Sequence, residues 1–151
     1  LAVIKKGEIM KVTINEYADA IVTLLPVAMR DTGQSGRCAQ VLLSAYNGLE
    51  FHLSIPELSC LDKKLYEACI NVIRGRAELR IEPHTLLKDG DRIFESLYDR
   101  WEGLQVKNRG KVDCPRCKGY GVVYSNSNDE KGVPCEYCDR TGRVCRCKVW
   151  Y

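Results

Sequence analysis

Cys114-Pro-Arg-Cys117-Lys-Gly119-Tyr-Gly121 and Cys135-Glu-Tyr-Cys138-Asp-Arg140-Thr-Gly142 are the two segments on which the reading of this chain turns. Each opens with a C-x-x-C pair, and residues 118–134 separate the pairs. Two such pairs at this distance are the pattern of a zinc site. A two-residue gap lets the backbone turn so that both sulfurs face one ion, and four thiolates close a tetrahedral site structurally. The competing chemistry is a pair of disulfides, which suits secreted chains. The chain has nine cysteines, an odd number that cannot all pair internally. No βαβ pattern surrounds either pair, which argues against a redox C-x-x-C. The expected ligands are Cys114, Cys117, Cys135 and Cys138, holding one zinc ion (Zn2+) per chain. The valines and tyrosine of Gly-Tyr-Gly121-Val-Val-Tyr124, with Val144, are expected to form a short β-hairpin.

The first segment resembles the C-x-x-C-x-G-x-G repeat of the DnaJ zinc-binding domain. The second keeps both cysteines and the final glycine but carries Arg140 where the repeat has its first glycine. DnaJ proteins use four repeats for two zinc sites. This chain has two repeats and no His-Pro-Asp tripeptide. The resemblance therefore implies a local zinc-ribbon fold and not co-chaperone activity. A similar paired arrangement occurs in lambdoid phage late antitermination proteins, behind a helical region.

Charge divides unevenly along the 151 residues. Residues 1–105 hold 13 Lys and Arg against 15 Asp and Glu, whereas residues 106–151 hold 10 against 5. A basic tail suits nucleic acid, and it equally balances the two negative charges that four thiolates leave on one zinc. The candidate contacts are Arg116, Lys118, Arg140, Arg143, Arg146 and Lys148. A hydrophobic content of 45% supports a packed core and excludes wholesale disorder. No apolar run reaches the length of a membrane span and no secretory signal is visible, so the expected location is the cytoplasm.

Ahead of the cysteines the apolar residues recur at helical spacing. Leu1–Met10 carries neither this period nor a cap. Its Lys-Lys-Gly-Glu8 ahead of Met10 can be encoded by a purine-rich run like a ribosome-binding site. Met10 is therefore a candidate start, with residues 1–9 a translated leader. Thr13 with Glu16 forms a capping box for a helix with Ile14, Tyr17, Ala18, Ile21, Leu24, Leu25 and Ala28 at helical spacing, which Pro26 is expected to kink or split. Asp31-Thr-Gly33-Gln-Ser35-Gly-Arg37 joins this helix to a second, with Cys38, Val41, Leu42, Ala45 and Tyr46 inward and Asn47-Gly48 as its stop. Three readings compete for the joint: a helix–turn–helix, an anion site at a helix N-terminus, or capping by Thr32 or Ser35 with Asp31 and Arg37 paired. Capping explains the residue types without a ligand. The run also resembles an uncharacterised helical domain family of bacterial and phage proteins, over residues 14–103, which implies a fold and no activity.

Asp62 is the expected cap of a third helix, with Leu65, Ala68, Cys69, Val72 and Ile73 inward. Arg74, Arg76 and Arg80 then suit a helix C-terminus or a phosphate. Residues 77–90 read as irregular. Asp91 opens a fourth helix whose inner face is Ile93, Phe94, Leu97, Tyr98 and Trp101, and Gly103 closes it. His52 and His84 read as loop or surface residues.

These observations predict a mainly α protein of about four helices with a C-terminal zinc ribbon. The expected divisions are an arm or leader (1–12), a helical domain (13–104), a linker (105–112) and the ribbon (113–149). No nucleophile–His–acid set and no phosphate loop is visible, and four cysteines leave zinc no open position. The expected function is therefore non-enzymatic: a small regulator, of phage or mobile-element type, that binds nucleic acid or the transcription machinery. The alternative is an adaptor that presents the ribbon to a host protein.

Overall fold

The computed structural model describes residues 11–124 and 131–145, with Cys145 described by its backbone alone. The expectations for residues 1–9 and Met10 fall outside these. The chain divides into two compact units between Lys107 and Asn108.

The first unit is helical. Helix α1 (Ile14–Ala28) opens with the expected capping box. The Thr13 hydroxyl accepts from the Glu16 N–H at 3.1 Å, and the Glu16 carboxylate accepts from the Thr13 N–H at 2.7 Å. Tyr17, Ala20, Ile21, Leu24 and Ala28 form its buried stripe. Pro26 does not split the helix. Both Pro26 and Val22, whose carbonyl loses its helical partner, face outward, where water replaces the bond.

Helix α2 (Ser35–Tyr46) follows the Asp31–Gly33 joint and ends at Asn47. The Ser35 hydroxyl accepts from the Thr32 N–H at 3.0 Å and lies 2.8 Å from the Thr32 hydroxyl. The expected Asp31–Arg37 pair does not form. Arg37 instead stands 2.8 Å from Glu57, which a 3-10 segment, Ile55–Cys60, brings alongside.

Helix α3 (Lys63–Arg74) is capped by Asp62, whose carboxylate accepts from the Leu65 N–H at 2.9 Å. Beyond Arg74 the backbone widens into a π-turn, Gly75–Leu79, and Arg80 takes a left-handed conformation. Gly75 lies against the ring of the fully buried Tyr17 and leaves no room for a β-carbon. The expected arginine cluster is largely neutralised by carboxylates. Arg74 pairs with Glu78 at 2.9 Å, and Arg76 pairs with Glu82 at 2.6 Å while donating to the Ala45 carbonyl at 2.9 Å. Residues 77–90 are more ordered than expected, because a 3-10 segment, Pro83–Leu86, follows the π-turn. His84 lies there against Tyr46 and Phe94.

Helix α4 (Gly90–Arg100) starts one residue before Asp91 and ends before Gly103. Its aromatics belong to the core, as expected. Phe94 and Leu97 are buried, Tyr98 donates to Glu50 at 2.7 Å, and Trp101 donates to the Ala28 carbonyl at 2.8 Å. The expected linker is shorter than its composition implies. Gln105 is 2% exposed, and the Val106 N–H donates to the Glu50 carbonyl at 2.8 Å, so this end stays with the helices.

The second unit contains two small antiparallel pairs. Strand β1 (Lys111–Asp113) pairs with β4 (Arg143–Cys145), and β2 (Val122–Val123) pairs with β3 (Val133–Pro134). The expected partnership of the Val122 segment with Val144 is therefore incorrect. Val144 lies opposite Val112, in a stretch whose polar composition reads as linker.

Candidate metal centre

The two C-x-x-C segments fold as near-copies of one another. The residues after Cys117 and after Cys138 turn through the left-handed region at matching positions: Lys118 and Gly119 in the first, Asp139 and Arg140 in the second. Arg140 thus takes the backbone shape that its position demands, without the glycine that would adopt it at no steric cost. Gly121 and Gly142 end the turns, again with positive φ. The segments then interlock reciprocally. The Cys114 N–H donates to the Gly142 carbonyl at 2.8 Å, and the Cys135 N–H donates to the Gly121 carbonyl at 2.9 Å. Gly121 packs on the Arg140 carbonyl and Gly142 on the Gly119 carbonyl, each too closely for a side chain.

This arrangement brings Cys114, Cys117, Cys135 and Cys138 together. All four are buried, and their sulfurs lie within 4.8 Å of one another. The cross-segment separations are 3.8 Å for Cys114–Cys135 and 3.7 Å for Cys117–Cys138. A disulfide needs about 2.05 Å. A tetrahedron with zinc–sulfur bonds of about 2.3 Å has edges of about 3.8 Å. The cluster therefore has the donor set and dimensions to hold a metal ion. Val144 is buried with the cysteines, and Val112 and Val123 pack against them.

The local backbone also favours thiolate. The Gly121 N–H donates to the Cys117 sulfur at 3.3 Å. Burial raises the Cys117 thiol. Hydrogen bonds from the Gly121 backbone, the Cys114 and Cys138 sulfurs and the Gly119 backbone outweigh it and bring the thiol down to about 7. Four free thiols cannot all ionise so close together. For Cys138, burial and the neighbouring sulfurs raise the thiol to about 11, against a lowering contact from the Gly142 backbone. A cation in the centre removes that conflict, because it stabilises every thiolate at once.

Of the expected basic contacts, Arg116, Lys118, Arg140 and Arg143 are exposed on this unit, and Arg143 also donates to the Lys111 carbonyl at 3.1 Å. Arg146 and Lys148 fall outside the described residues, as do Cys147 and the side chain of Cys145. Cys38 and Cys69 are buried in the helical unit, while Cys60 is exposed. Sequence reasoning missed three aromatic residues on the same unit. Tyr120, Tyr124 and Tyr137 are 77%, 56% and 38% exposed. Their interleaving with Arg116, Lys118 and Arg140 was the available signal.

Residues 18–102 match the family of unknown function DUF7673. The match spans more than half of the chain, and the chain belongs to that family, which bears out the expected uncharacterised helical family. No curated protein and no solved structure matches the chain.

Proposed function

We propose that this DUF7673 protein is a non-enzymatic regulator whose zinc-stapled C-terminal unit binds nucleic acid, with a preference for single strands. The observation that carries this reading is the buried four-cysteine cluster in a unit that also exposes basic and tyrosine side chains. Zinc is the ion of choice because an all-thiolate tetrahedron suits it. Four sulfurs leave no open coordination position, so the ion serves as a staple. A reducing compartment keeps such a set available, which favours the cytoplasm. No helix among the described residues is long and apolar enough to cross a membrane.

Arg116, Lys118, Arg140 and Arg143 supply phosphate contacts, and exposed tyrosines supply faces on which unpaired bases stack. The likeness of the cysteine repeats to phage antitermination proteins rests on motif alone. It supports a regulator that works beside the transcription machinery and originates in a phage or mobile element.

The test is binding of the full, zinc-loaded chain to single-stranded and duplex oligonucleotides across a salt series. Four phosphate contacts predict that log K falls with log salt at a slope of about −3 on single strands. Replacing Tyr120 and Tyr124 with Ala weakens single-strand binding and leaves the slope unchanged. Absence of binding at low salt, together with salt-insensitive capture of a host protein, supports the adaptor alternative instead.

A further inference from the structure

We infer that a depression on the metal unit takes one unpaired guanine of a nucleic-acid strand, selected by Glu136; the inference rests on the single-strand reading above. The depression measures about 280 Å³ and is lined by Arg116, Val123, Val133, Pro134, Cys135 and Glu136. That is just below the range of drug-sized sites and suits a single heterocyclic base.

The cysteine segments and the β2–β3 pair build this site together. Arg116 and Glu136 occupy spacer positions of the two C-x-x-C segments, so the clustered cysteines on either side of each hold its backbone. Residues Glu136–Cys138 add a 3-10 turn, and the Arg140 N–H donates to the Cys135 carbonyl at 3.0 Å. The apolar wall comes from the strand pair, in which Val123 lies opposite Val133. Val133 is 62% exposed, and Pro134 beside it is exposed as well. The Tyr124 ring packs against Gly132, next to Val133, and offers a stacking face to a neighbouring base.

Arg116 and Glu136 carry opposite charges and line one depression. Neither forms an ion pair or a side-chain hydrogen bond among the described residues. Arg116 is thus available to a phosphate and Glu136 to a donor. A carboxylate accepts hydrogen bonds and donates none. On a surface that binds phosphates it opposes the strand's charge, and it gains only against a base edge rich in donors.

That edge belongs to guanine. Its N1–H and N2 amino group are adjacent donors on the Watson–Crick edge, matching the two oxygens of one carboxylate. Adenine and cytosine each set a ring-nitrogen acceptor beside their amino group, and that acceptor repels the carboxylate. Thymine has one N–H between two carbonyls. In a duplex the guanine edge is occupied by cytosine, so this site reads unpaired strands alone.

The experiment is fluorescence anisotropy of the full, zinc-loaded chain with short oligothymidylates carrying one central guanine, adenine, cytosine or hypoxanthine. The guanine strand is expected to bind at least about tenfold more tightly than the adenine or cytosine strand. Hypoxanthine lacks the N2 amino group and should fall several-fold below guanine. Free GMP brings one phosphate and no neighbouring base, and should bind at least about tenfold more weakly than the guanine strand. Zinc-loaded Glu136→Gln should lose the preference for guanine. If no strand binds at low salt, the nucleic-acid reading fails and this inference with it. If strands bind but guanine is not preferred, if hypoxanthine equals guanine, if GMP binds as tightly as the strand, or if Glu136→Gln keeps the preference, the guanine site alone is overturned.

Discussion

The Cα of Gly121 sits on the carbonyl oxygen of Arg140, with no space between them for a β-carbon. Gly142 bears the same relation to the Gly119 carbonyl, so each cysteine segment is locked by the glycine of the other. Gly121→Ala adds both this clash and a left-handed backbone that costs a side chain about 1–2 kcal/mol. The expected result is a fall in zinc affinity of at least about tenfold in chelator competition, with the helical unit's thermal transition unchanged. A variant that holds zinc like the parent would show that the interlock does not position the ligands.

Arg140 bears the opposite strain. Its φ of 66° occupies the left-handed region that glycine enters freely. Arg140→Gly should stabilise the metal unit by about 1 kcal/mol, visible as tighter zinc retention. On the proposed function Arg140 is one of the phosphate contacts, so the same change should weaken nucleic-acid binding while metal binding strengthens.

In the helical unit, Gly75 is fixed by its neighbour and not by its own dihedral angles, since its φ is −57°. Gly75→Ala drives a methyl into the ring of Tyr17, which is fully buried and donates to the Ile81 carbonyl at 3.1 Å. Overpacking of this kind costs about 1–3 kcal/mol. Chemical denaturation should report that loss in the helical transition, with zinc content unaffected.

Two carboxylates tie helical stability to pH. Backbone and side-chain hydrogen bonds from Thr13 lower Glu16, and hydrogen bonds from Arg74 and the Val12 N–H lower Glu78. A lowered folded value means that the stabilisation is full above the ordinary value near 4.5 and is lost as pH falls through the folded values. The melting temperature should therefore decline in this acid range. Glu16→Gln with Glu78→Gln should flatten the decline; an unchanged slope would assign it to other groups.

Local chemistry was the legible part of this chain. Thr13 with Glu16, and Asp62 alone, announce their helices because a cap acts over three residues. The four cysteines announce a centre because their spacing is itself the constraint. Relationships across the chain were not legible. Nothing in Lys111–Asp113 says that it pairs with Arg143–Cys145, because strand pairing is set by the folded segments between them. Arg37 was matched to the nearby Asp31, whereas the 3-10 segment delivers Glu57 from twenty residues further on. The left-handed Arg140 was hidden because a departure from the glycine pattern looks like lost geometry, while the backbone keeps that geometry and bears the strain.

Zinc analysis with X-ray absorption at the zinc edge tests the central claim most directly, on full chain prepared reduced and without chelator. The account predicts one zinc per chain, surrounded by four sulfurs at about 2.3 Å, with the metal lost in Cys117→Ser while the helical unit stays folded. Absence of zinc, or a shell containing nitrogen or oxygen in place of one or more of the sulfurs of Cys114, Cys117, Cys135 and Cys138, would contradict it.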